Sequence, residues 1–65
     1  SDEIALLETI IERRDEISVQ LEKELLHATP KQRITILNKL NILDKQGFKD
    51  RQRLKQLNTL QNELE

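Results

Sequence analysis

The chain has 65 residues, a formal net charge of −1, no cysteine, no methionine and one histidine. That composition excludes a disulfide framework, a thiolate metal site and a histidine-built zinc centre, and no apolar run approaches the roughly 18 residues that a membrane span needs. Below roughly 70–80 residues a lone core rarely supplies more than about 3–5 kcal/mol, so one small domain must lean on regular helix packing, a partner or both.

The charge is unevenly divided. Residues 1–28 carry eight acids and three bases, a balance of −5, and residues 29–65 carry eight bases and four acids, a balance of +4. This asymmetry predicts attraction between two segments folded against each other. A nucleic-acid surface is a competing reading of the basic half, although stacking aromatics and a helix-turn-helix spacing are missing. An acidic or membrane-surface partner for that half is a third. The start at Ser1-Asp2, without methionine, reads as a domain spanning 1–65 excerpted from a longer protein. No signal peptide is visible, and absent cysteine fits an intracellular, cytoplasmic chain.

Helix formers dominate, and no stretch alternates apolar and polar residues for long. The first segment predicts a helix over about 2–28, capped by Ser1 or Asp2, with early acids at the positive end of its dipole. At 100° per residue, Ile4, Leu7, Ile10, Ile11, Ile17, Leu21, Leu25 and Ala28 form one stripe, with Arg14 and Ser18 inside it. Val19 and Leu26 fall on the other side.

A turn is predicted at 28–30. Pro30 cannot continue a helix but opens one well. Thr29 as N-cap with Gln32 three residues later makes a capping box. So short a connection implies antiparallel helices. The returning segment, from about 30, turns Ile36, Leu37, Leu40 and Leu43 to one side, with Ile34 at the edge and Ile42 roughly opposite.

Gly47 and Phe48, the only glycine and the only aromatic, leave two readings. Gly47 can end the helix in a left-handed conformation, with Phe48 and Leu43 as the accompanying apolar pair and Asp50 capping a third helix over 51–65. Alternatively the helix runs through to about 64, bent or broken at Gly47. Ile36, Leu40, Leu43, Gly47, Asp50, Leu54, Leu57, Gln61 and Leu64 keep steps of four and three without a slip, which favours continuity. The expected fold is therefore an all-α antiparallel hairpin with unequal arms, a three-helix bundle being the alternative. Its last eight or so residues, with Leu57, Leu60 and Leu64, would overhang the first helix.

Nothing in the sequence points to catalysis, a cofactor or a metal. Ser18 has no base set beside it, and His27 belongs to a helix C-terminus, where histidine meets the last carbonyls. Glu12/Glu16 and Asp15/Glu16 read as a solvated face. Arg14 either snorkels from the apolar stripe or fixes register as a polar seam residue. With a turn near 29 it would face position 44, which makes Asp44 a better candidate partner than Asp50. Val19, Leu26 and Ile42 lie off the main stripe and suggest a second interface. The candidate partner-binding residues are Leu7, Ile10, Ile17, Val19, Leu26, Ile36, Leu40 and Leu43.

The stretch LLETI (Leu6–Ile10), then Ile17, a turn, and Ile36-x-x-x-Leu40-x-x-Leu43 resembles the Rab-binding helical hairpin of the rabenosyn type over about residues 6–46. The turn is several residues longer than in that family, and Lys39 stands where the family has asparagine. Residues 47–64 can also be laid on the family's returning helix, so the register of the resemblance stays open. The resemblance implies an effector module in membrane trafficking at the endosome, presenting Leu7, Ile10, Ile17, Ile36, Leu40 and Leu43 to a GTP-loaded small GTPase. Without it, the residues point to a non-enzymatic protein–protein interaction module that mediates oligomerisation by helix packing. A nucleic-acid-associated accessory domain is the remaining alternative.

Overall fold

A computed structural model, which describes residues 2–64, contains two helices, α1 (Asp2–Leu25) and α2 (Pro30–Leu64), packed as an antiparallel hairpin. Ser1, one of the two expected caps, lies outside the described residues, and Asp2 is already the first residue of α1. The molecule is 52 Å long and 15 by 13 Å across. Its length is that of α2 alone, since 35 residues at 1.5 Å each come to about 52 Å.

α2 passes through Gly47 without a break, and neither Gly47 nor any other described residue has positive φ. A helix-ending glycine needs the left-handed region, so the three-helix alternative is not adopted. Glycine in a helix costs only about 1 kcal/mol. Keeping phase across it turns Leu54 and Leu57 inward, where both are half-buried.

The two helices meet along a seam spaced alternately by three and four. It contains Ile4, Leu7, Ile11, Arg14, Ser18, Leu21 and Leu25 of α1, and Ile36, Leu40, Leu43, Gly47, Asp50, Leu54 and Leu57 of α2. This is coiled-coil packing, in which each helix offers its partner only a narrow stripe. Just two large apolar side chains are enclosed by it, Leu7 at 9% and Ile36 at 8% exposure. Ile10 and Ile17, expected in the stripe of α1, stand outside it at 36% and 51% exposure. A single partner helix is too thin to cover the wider stripe that a globular core would.

The turn follows the expected chemistry. Thr29 N–H donates to Gln32 Oε1 at 2.9 Å, and Gln32 N–H donates to Thr29 Oγ1 at 3.2 Å. Arg33 N–H then donates to Thr29 O at 2.9 Å, the first helical bond of α2. α1 ends earlier than the expected 28. Leu26, His27 and Ala28 donate instead to the carbonyls three residues back, Lys23, Glu24 and Leu25, a tightening typical of helix ends. The side chain that meets a terminal carbonyl is Arg33, whose Nη1 lies 3.3 Å from Leu25 O. His27, expected in that role, is exposed.

The partner of Arg14 differs from the expected one. Arg14 Nη1 lies 2.6 Å from Asp50 Oδ2, so Asp50 and not Asp44 receives its charge. Side chains lean toward the N-terminus of their own helix, so the long Arg14 stem passes Gly47 and its head meets a carboxylate further along α2 than the residue level with its Cα. The arms are unequal, 24 residues against 35, a difference of about 16 Å, and they meet at a short turn, so the end of α2 runs past the start of α1. Leu57 is half-buried, while residues 58–64, Leu60 and Leu64 among them, are exposed.

Candidate interaction surface

The seam is interrupted at its middle by polar residues from both helices. Arg14 is only 15% exposed in its side chain and Asp50 28%. Their contact is an ion pair by distance but lies off the line of a well-directed hydrogen bond. Gly47 makes room for it. A Cβ at Gly47 would sit 3.7 Å from Arg14 Cδ and 3.1 Å from Arg51 Nη1. A glycine thus faces the long arginine, large against small, and the carboxylate one turn further on receives the charge.

Two more ion pairs tie the helices at their shoulders. Arg51 Nη2 donates to Asp15 Oδ1 at 2.8 Å, and Arg53 Nε donates to Glu3 Oε1 at 3.1 Å. Each joins an acid of α1 to a base of α2, as the charge asymmetry predicts. All four side chains are about half or more exposed, so each pair contributes about 0–1 kcal/mol.

These pairs also establish which helix shoulders lie side by side. At 100° per residue, Leu6, Ile10 and Ile17 share one shoulder of α1 with Glu3, while Val19 and Leu26 share the other with Asp15. On α2, Arg53 shares a shoulder with Ile42 and Leu60, and Arg51 with Leu37 and Phe48. The hairpin therefore has two broad faces. One carries Leu6, Ile10, Ile17, Ile42 and Leu60, and the opposite one Val19, Leu26, Leu37 and Phe48; all nine are exposed. The Val19 face is acidic, with Glu8, Glu12, Asp15 and Glu16 around an open groove floored by Ile11, Val19 and Leu54. The Leu6 face has only Glu3, Arg13 and Glu24 on its α1 side.

The eight candidate partner-binding residues are thereby divided. Leu7 and Ile36 are buried, and Leu40 and Leu43 half-buried, in the seam. Ile10 and Ile17 belong to one face, Val19 and Leu26 to the other. Sequence reasoning left Leu60 to the overhang, where it is exposed as expected, and did not assign Leu6 or Phe48 to a surface. It set Leu37 on the seam side, whereas Leu37 is exposed because a lone partner helix covers only a narrow stripe. For Leu6 the signal was present: Leu6, Ile10 and Ile17 are spaced four and seven apart, a second stripe beside the seam.

The concavities of the hairpin are open grooves, and among the described residues no group of three or more histidine, cysteine, aspartate or glutamate side chains is placed to hold a metal ion. No described helix is long and apolar enough to cross a membrane. No protein-family model, curated protein or solved structure matches the chain.

Proposed function

We propose that this hairpin is a non-enzymatic interaction module that associates with a second copy of itself through helix-on-helix packing. The observation that carries the reading is the balance of apolar side chains among the described residues. Eleven large ones are exposed and two are buried. Scattered exposed aliphatics are ordinary, but here several fall in stripes on defined faces. A 65-residue chain enclosing so little has scant means of holding its fold alone. A second hairpin would bury a face and complete a four-helix bundle. Sedimentation equilibrium at micromolar concentration, with helicity followed on dilution, tests the proposal. The expected result is a mass of two or more chains and helicity that falls as the complex dissociates. A monomer that stays folded at all concentrations would sink it.

A second reading is an effector hairpin for a GTP-loaded small GTPase of the Rab type, supported by the exposure of Ile10 and Ile17, two of the six positions the resemblance carries over. It requires binding that prefers GTP over GDP. Nucleic-acid binding is weakened as a reading by the engagement of Arg14, Arg33, Arg51 and Arg53 within the hairpin. Absence of any DNA or RNA complex at low salt would remove it.

A further inference from the structure

We propose that the second copy covers the Leu6, Ile10, Ile17, Ile42 and Leu60 face, related by a two-fold axis running along the helices. α1 of each copy then lies on α2 of the other, and both turns sit at the same end of the bundle. The proposal rests on the self-association reading and specifies its face and geometry.

The face follows from desolvation. Burying an unpaired charge is costly, and the Val19 face carries Glu8, Glu12, Asp15 and Glu16 around its groove. The Leu6 face places five aliphatic side chains, all exposed, beside few charges on α1. Its size is adequate. A surface 52 Å by 15 Å has a footprint of about 800 Å², what each partner contributes to a standard-size interface.

The axis follows from charge. A closed pair of hairpins can stack in two ways on one face. An axis across the helices sets α1 on α1 and α2 on α2, turns at opposite ends, like charge against like. An axis along the helices sets α1 on α2 twice. On this face α1 presents Glu3, Arg13 and Glu24, a balance of −1. At 100° per residue α2 presents the bases Lys39, Lys49 and Arg53 beside Ile42 and Leu60. The first arrangement therefore sets base against base along α2, and only the second sets each basic helix on the acidic side of its partner. The intramolecular pairs Asp15–Arg51 and Glu3–Arg53 already obey the same polarity. Height is conserved by this axis. Glu24 and Lys39, which line one groove within the hairpin, would also come level between copies, and Ile17 would meet the partner's Ile42 within about one turn.

The chain has no cysteine, so a nitroxide at His27→Cys, in the exposed turn, reports one distance per dimer. Turns at the same end place the two labels within roughly 30 Å, a few interaxial spacings of 8–10 Å. Turns at opposite ends separate them by about the 52 Å length of the molecule. A dimeric sample with the long distance overturns the arrangement and leaves self-association standing, whereas a monomeric sample overturns self-association itself. The face is tested separately. Ile10→Asp and Ile17→Asp should weaken dimerisation roughly tenfold or more, with Val19→Asp and Leu26→Asp near the parent. The reverse pattern overturns the assignment of the face.

Discussion

Arg14 and Asp50 face each other across the middle of the seam, Nη1 to Oδ2 at 2.6 Å, with Gly47 one turn before the aspartate giving the arginine stem its space. This is the one ion pair described between the helices that reverses the charge polarity of the other two, base on α1 and acid on α2. A slip of either helix by one heptad would leave Arg14 against aliphatic side chains. The pair therefore penalises wrong registers more than it stabilises the right one.

Removing one partner should hurt more than removing both. Asp50→Ala leaves a guanidinium that is 15% exposed without its carboxylate, and the expected loss is about 1–3 kcal/mol. Replacing both Arg14 and Asp50 with leucine restores an apolar seam and should be neutral or stabilising. Urea unfolding of the two singles and the double gives the coupling energy. A double variant no more stable than the worse single would contradict this account.

Gly47 offers a graded test of the space it leaves. Its φ is not positive, so alanine is free of backbone strain and gains helix propensity. The added Cβ would lie 3.1 Å from Arg51 Nη1, the end of a flexible side chain that can shift. Gly47→Ala should raise stability by about 0.5–1 kcal/mol. Gly47→Leu should lower it, because the branched side chain meets Arg14. Amide exchange over 46–50 should show helical protection in the parent, and fast exchange there would point to a break.

The hairpin itself was legible. The capping box at Thr29 and Gln32 needs only local chemistry, and the unbroken phase of α2 is visible in Leu43, Gly47, Asp50 and Leu54. The partner of Arg14 was not legible, because counting outward from the turn finds the residue level with its Cα and ignores the reach and lean of a long side chain. That is why the charge is met by Asp50 and not Asp44. The candidate surface was half legible. Val19 and Leu26 stood out as off the stripe, but Ile10 and Ile17 were absorbed into it, since a 100° window is wider than the seam a lone partner helix covers. Only the coiled-coil spacing of Leu7, Ile11, Arg14 and Ser18 separates the two.

Exposed pairs should behave differently from the seam. Asp15 and Arg51 are 59% and 54% exposed in their side chains. Arg51→Ala is expected to cost under about 1 kcal/mol, a difference that vanishes near 1 M salt as exposed charges are screened. The Asp50→Ala deficit should persist at that salt. Equal salt sensitivity of the two variants in thermal melts would show that Asp50 is no better shielded than Asp15.

Leu6 and Leu7 are neighbours in sequence with opposite surroundings, 60% and 9% exposed. Leu7→Ala removes a side chain enclosed by the seam and should cost about 2–3 kcal/mol. That is most of what a chain of this size has, so helicity should fall at every concentration. Leu6→Ala removes nothing from the seam of the isolated hairpin. Its cost should appear only through association: helicity near the parent at high concentration, and a midpoint on dilution shifted upward. Circular dichroism over a dilution series distinguishes the two. If Leu6→Ala and Leu7→Ala lose helicity in parallel regardless of concentration, Leu6 belongs to the fold of one chain and not to a surface between chains.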